Sequence, residues 1–129
     1  MTQGKSHRLG IVVVDHGSKR PEANAMLEAV ADLLRSRADD AIVEHAHMEL
    51  APPTIAEAFE RCVEQGATTV AIALFFLSPG RHSTKDIPAL VEEVAARHPD
   101  VKCVITDPLG VAAPIVDVML DRVKEAVDE

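Results

Sequence analysis

Two stretches of the chain, Leu9–Val14 and Val70–Leu77, are apolar with almost no alternation. Central strands of a parallel sheet, covered by helices on both faces, read this way. Each stretch runs into a histidine, the first through Asp15-His16-Gly17-Ser18 and the second through Ser78-Pro79-Gly80-Arg81-His82. Elsewhere the period is helical. Ala25, Leu27, Val30, Ala31 and Leu34 predict a helix over 21–37, with Pro21 in its first turn. Ile42, Ala46 and Met48 predict a second strand over 41–48, less buried than the first because Glu44 and His45 interrupt it. Thr54 with Glu57 is a capping box, opening a helix that Gly66 stops. The third strand covers 69–77 and is followed by a loop over 78–86. A helix over 87–98 ends before Pro99, a fourth strand covers 101–106, and a last helix runs over 111–127.

Strand and helix thus alternate four times, which specifies a parallel sheet with helices on both faces. Right-handed crossovers leave few topologies. The predicted architecture is three-layer α/β, a four-stranded parallel sheet in the order 2-1-3-4, flavodoxin-like. The order reverses between the first and third strands, and in open sheets ligands bind at the carboxyl edge of that switch point. The 129 residues make one domain, with 1–7 expected to fray and no linker or internal repeat.

That edge collects chemistry. His16, Glu49 and His82 follow the first three strands, and two imidazoles with a carboxylate suit a divalent first-row metal. Gly17 and Gly80 flank the histidines and let backbone approach a bulky ligand. Lys19, Arg20, Arg81 and Lys85 lie beside them, as a polyanion site or as ordinary solvated charges. His45 and His47 share one face of the second strand, either as a second site or as a packed or exposed pair. His7 and His98 are expected at the surface. No G-x-G-x-x-G or P-loop pattern occurs, which argues against nucleotide binding, and Ser18 has no nucleophile elbow around it.

Composition narrows the partners. A net charge of −8 argues against a nucleic-acid surface. No apolar run approaches the ~20 residues of a membrane span. Aromatic residues are 2%, with no Trp or Tyr, so a ring-shaped ligand would meet aliphatic walls. Cys62 and Cys103 fit neither a zinc pattern nor a disulfide framework; they read as small hydrophobes in a reduced compartment. The start carries no signal-peptide pattern, so the expected location is the cytoplasm, or a plastid stroma if a transit segment has been removed.

Val14-Asp15-His16-Gly17-Ser18, Ala46-His47-Met48-Glu49-Leu50-Ala51-Pro52-Pro53 and Phe75-Phe76-Leu77-Ser78-Pro79-Gly80-Arg81-His82, in this order and spacing, resemble the small sirohydrochlorin chelatases. The resemblance runs from about Arg8 to Val123. It implies a chelatase half-domain and an ATP-independent lyase that inserts Fe2+ into sirohydrochlorin for siroheme. Co2+ insertion for cobalamin, Ni2+ as the metal, or a non-catalytic metal or tetrapyrrole carrier are the alternatives. It also implies that His16 and His82 are the catalytic and metal-holding residues, assisted by Glu49. Ser18, Lys19, Arg20, Gly80, Arg81 and Lys85 would then meet the substrate and its carboxylates. Longer relatives hold two such halves in one chain, so a homodimer is expected here. Members with a Cys-rich extension carry an iron–sulfur cluster; the sequence stops at Glu129 without one, and no cluster is expected.

Overall fold

β1 (Leu9–Asp15) is the axis of the sheet, pairing in parallel with β2 (Ile42–His47) on one side and β3 (Thr69–Leu74) on the other. β4 (Lys102–Ile105) adds beyond β3, giving the order β2-β1-β3-β4 that the sequence predicts. The structure is a computed structural model in which residues 7–80 and 85–128 are described. Apart from His7, the N-terminal stretch expected to fray lies outside them. The strands alternate with α1 (Pro21–Arg37), α2 (Ile55–Glu64), α3 (Ile87–Ala95) and α4 (Ala113–Asp128). None of these helices is long and apolar enough to cross a membrane.

Local chemistry fixes the helix starts. Pro21 occupies the first turn of α1, where its missing N–H costs nothing. Both halves of the α2 capping box form: Glu57 N–H donates to Thr54 Oγ1 at 3.1 Å, and Thr54 N–H to Glu57 Oε1 at 2.8 Å. Helix α2 lies close on the sheet because Gly10 leaves it room; a Cβ there would stand 3.0 Å from that of Cys62.

The main core lies between the sheet and α2 with α3. Val12, Val14, Val70, Ile72 and Leu74 point from the sheet into Ile55, Phe59, Cys62, Ile87, Val91 and Val94. The opposite face carries a smaller cluster, in which Val13 and Val43 meet Leu27 and Ala31 of α1.

Several expectations need correction. β3 is buried on one face only: Val70, Ile72 and Leu74 are buried, whereas Ala71 and Ala73 are half-exposed. No helix lies over those alanines, since α4 has no buried residue among those described. β3 also ends at Leu74. Beyond it the carbonyls of Phe76 and Leu77 accept from Leu109 and Gly110 N–H, so the chain bonds a loop instead of a strand. β2 is not the less buried strand: Ile42, Val43, Ala46 and His47 are all buried, because His47 has a partner inside. α3 stops at Ala95, where Arg97 and His98 N–H turn back to Val94 and Ala95 carbonyls. α4 starts at Ala113, two residues later than expected. His98 is no simple surface residue; its ring stacks on Phe59 and its Nε2 lies 2.7 Å from Glu60 Oε1.

Candidate metal centre at the carboxyl edge

β1 and β2 run in register to their ends, with Asp15 opposite His47. Their backbones stay tied beyond the ladder. Met48 N–H donates to the Asp15 carbonyl at 2.9 Å and Glu49 N–H to the His16 carbonyl at 3.1 Å. Gly17 makes this closeness feasible. Its φ is +96°, and a Cβ at that position would sit 1.9 Å from the Glu49 carbonyl oxygen. A side chain at 17 would therefore be strained twice, by backbone conformation and by collision.

The outcome is that His16 and Glu49 meet side by side. His16 Nε2 lies 2.7 Å from Glu49 Oε2, both side chains being about half-exposed at the edge. A carboxylate only accepts, so the imidazole Nε2–H donates, and Glu49 fixes which nitrogen carries the proton. Two donors of different hardness, open to one side, can share a divalent ion without enclosing it. A shallow cavity of about 340 Å³ lies alongside, lined by Asp15, His16, Gly17, Ser18, Phe75 and Phe76 among others.

The remaining expected residues divide. Ser18 is built into the loop: its hydroxyl accepts from Arg20 N–H at 3.0 Å, and its own N–H donates to Asn24 Oδ1 at 2.9 Å. Asn24, not foreseen, closes this loop by donating back to the Ser18 carbonyl at 2.7 Å. Lys19, Arg20 and Lys85 are exposed. Gly80 is exposed, and a Cβ there would meet nothing within 4 Å among the described residues. Arg81 and His82 lie outside the described residues. Among the described residues, no three metal-ligating side chains cluster; His16 and Glu49 supply two.

A second pair, also not foreseen, supports the first. His47 Nδ1–H donates to Asp15 Oδ1 at 2.6 Å, with the His47 side chain 2% exposed. Its ring meets that of His45 edge-on at 5.8 Å. His47 is thus a buried clamp on the residue before His16, and the His45–His47 face is packed. Cys62 is remote from the edge; burial and then the charge of Glu44 push its thiol up to about 12.

The chain and its fold are similar to known proteins. The chain is 45% identical over 92% of its length to a protein of Arabidopsis thaliana named sirohydrochlorin ferrochelatase, chloroplastic, and covers 52% of that relative. It is 32% identical to a sirohydrochlorin cobaltochelatase of Methanosarcina barkeri, over 95% of this chain and 99% of the other. A solved structure of SirB from Bacillus subtilis with Fe3+ superposes with a TM-score of 0.86 at 31% identity, over 92% of this chain and 47% of that one. The chain spans about half the length of the ferrochelatase and SirB chains it matches. The family model described as CbiX matches residues 10–126, from the strand that carries His16 to the last helix, and the chain belongs to that family.

Proposed function

We propose that the protein inserts a divalent metal, Fe2+ foremost, into sirohydrochlorin in siroheme synthesis, as an ATP-independent chelatase of the lyase class. The observation that carries this reading is the half-exposed His16–Glu49 pair, 2.7 Å apart at the carboxyl edge of the sheet, where β1 and β2 end. Insertion needs a metal held loosely enough to hand over, and a base for the two pyrrole protons that leave as it enters. A neutral imidazole can hold a metal or accept a proton, and so serves both needs. His16 and His82 take these roles, with Glu49 holding the His16 ring and receiving its proton. Lys19, Arg20, Arg81 and Lys85 meet the carboxylates of the ring, and Gly80 and the Ser18 loop border it.

A second reading has its own support. The Methanosarcina relative whose length this chain matches is named a cobaltochelatase, which favours Co2+ and cobalamin synthesis. The 45% identity to the plant ferrochelatase favours iron, and with it a plastid stroma or cytosol as the place of action. Anaerobic turnover of sirohydrochlorin compared across Fe2+, Co2+ and Ni2+ separates these readings, and binding without turnover identifies a carrier. His16→Ala should lower insertion at least about tenfold with the fold retained. Undiminished turnover in both His16→Ala and His82→Ala removes the assignment. Arg20→Ala should raise KM at low salt, with the effect fading as salt screens the charge.

The working unit in this proposal is a homodimer. A four-stranded sheet presents a short edge, and one chain has no second sheet to enclose a tetrapyrrole against it. A twofold axis sets two such edges face to face, as two halves in one longer chain would.

A further inference from the structure

The cavity beside His16 has one carboxylate in its lining. Asp15 follows Val13 on the face of β1 that looks toward α1, and it lines the cavity with Ala23 and Met26 of α1 and with Phe75 and Phe76 beyond β3. Two of the chain's three phenylalanines thus stand here, so the wall that a ring would meet is aromatic as well as aliphatic. The other polar side chains of the lining are engaged. Asn24 bonds the Ser18 backbone through both Oδ1 and Nδ2, and Ser18 Oγ accepts from Arg20 N–H. His16 meets Glu49. Asp15 differs: its Oδ1 accepts from His47, while no hydrogen bond to Oδ2 forms among the described residues.

Asp15 is held in a fixed direction. His47 is 2% exposed, and its Nδ1–H grips Oδ1 at 2.6 Å. His45 braces the His47 ring edge-on at 5.8 Å. Met48 N–H ties the Asp15 carbonyl at 2.9 Å. The Asp15 side chain nevertheless keeps 21% of its surface exposed. A pair that served only to fill the sheet would enclose both partners. Here the donor is sealed and the acceptor opens on the cavity, so one oxygen is fixed by the fold and the other is left to a ligand that donates.

On the tetrapyrrole reading above, on which this assignment rests, the choice of donor is narrow. The carboxylates around the ring only accept, and Asp15 repels them. The donors of the metal-free ring are the pyrrole N–H groups at its centre. We propose that Asp15 is a substrate-binding residue whose Oδ2 accepts one of these pyrrole N–H groups, with His47 as its positioning residue. The contact sets the N–H side of the ring beside His16. It is available only before insertion, because the metal replaces the protons, and so it favours substrate over product.

The test is the binding of metal-free sirohydrochlorin, followed by its fluorescence with a chelator present so that no insertion occurs. Asp15→Asn keeps an oxygen for His47 and should melt as the wild type does, but its amide N–H2 replaces the second acceptor. Affinity should fall about tenfold or more, as for loss of a hydrogen bond to a charged group. A charge effect alone runs the other way, since removing a negative charge beside a polycarboxylate tightens binding. Unchanged or tighter binding overturns the assignment, as does wild-type protein that binds no ring. If Asp15→Asn unfolds, Asp15→Leu with His47→Leu removes both partners at little cost to the fold and should lose ring affinity equally; retained affinity there also overturns it. His47→Asn, whose amide nitrogen stands in for Nδ1, should restore the affinity that His47→Leu loses, and equal affinity in the two overturns the positioning role. Wild type that binds the ring without turnover, with the loss in Asp15→Asn intact, defeats the chelatase reading and leaves the contact. Full turnover with undiminished ring affinity in Asp15→Asn defeats the contact alone.

Discussion

The two faces of the sheet are built on different terms. Under α2 and α3, residues of β1, β2 and β3 are sealed into one continuous core, with Phe59, Ile55 and Ile87 wholly enclosed. Under α1 the buried apolar cluster among the described residues is Val13, Leu27, Ala31 and Val43, and the apolar surface continues into the open over Ala73, Phe75 and Leu33. The first face accounts for the folding of the single chain. The second leaves apolar area open to solvent. The candidate site sits on the edge shared by both, on strands held rigid by the first face and close to the loop that leads α4 away.

The largest effect should come from the sealed face. Phe59→Ala should cost about 3–5 kcal/mol in urea unfolding, at any protein concentration. Leu33→Ala, on the open face, should change the stability of dilute protein by less than about 0.5 kcal/mol. An equal loss for both variants in dilute protein would erase the contrast between the faces.

The two histidines at the edge sharpen the comparison one step down. His47→Ala removes a buried donor from Asp15 and should cost about 1–3 kcal/mol of stability. His16→Ala removes a half-exposed ring and should leave the melting temperature in place while metal insertion falls. Thermal melts run beside turnover assays distinguish them. If His16→Ala proves the more destabilising, the assignment of clamp and ligand is reversed.

Smaller still, Thr54→Ala should cost about 1 kcal/mol, since it strips the α2 cap without touching the core. Cys62 gives a test through pH. Its folded thiol titrates at about 12 against an ordinary 9.0, so the unfolded chain loses that proton first. The native state should therefore weaken as pH rises above 9 and keep weakening toward 12. At neutral pH the thiol should resist alkylation until the protein unfolds, whereas half-buried Cys103 should react earlier. Rapid labelling of Cys62 in folded protein would show that the sealed face opens.

The strand order and the meeting of His16 with Glu49 were legible because both follow from where apolar runs stop. The one-sided burial of β3 was not. Alanine is apolar in either environment, and Ala71 and Ala73 look the same whether a helix covers them or not. The position of α4 was hidden for a related reason: its apolar positions at helical spacing predict a buried face, yet no described residue of the helix is buried. Asp15 with His47 depends on the register of two strands 32 residues apart, which no local pattern encodes. Asn24 closes the Ser18 loop across six residues, and only the folded turn brings them together. For Arg81 and His82 the expectation stands as a proposal.

The alignment of Asp15 with His47 also serves as a proofreading device during assembly. In a parallel pair, a slip of one residue turns His47 to the opposite face and strands a carboxylate among apolar neighbours. A slip of two is subtler, because His45 lies on the same face as His47 and would arrive opposite Asp15 in its place. That error would pass a check made by one pair alone. It cannot pass the second, since Glu49 would then stand two residues out of step with His16 and Gly17 would lose the backbone it fits against. Two hydrogen-bonded pairs on consecutive residues, at the end of β1 and in its following loop, thus leave a single alignment of β1 and β2 in which both histidines meet their carboxylates, widening the gap between the native pairing and its nearest competitors.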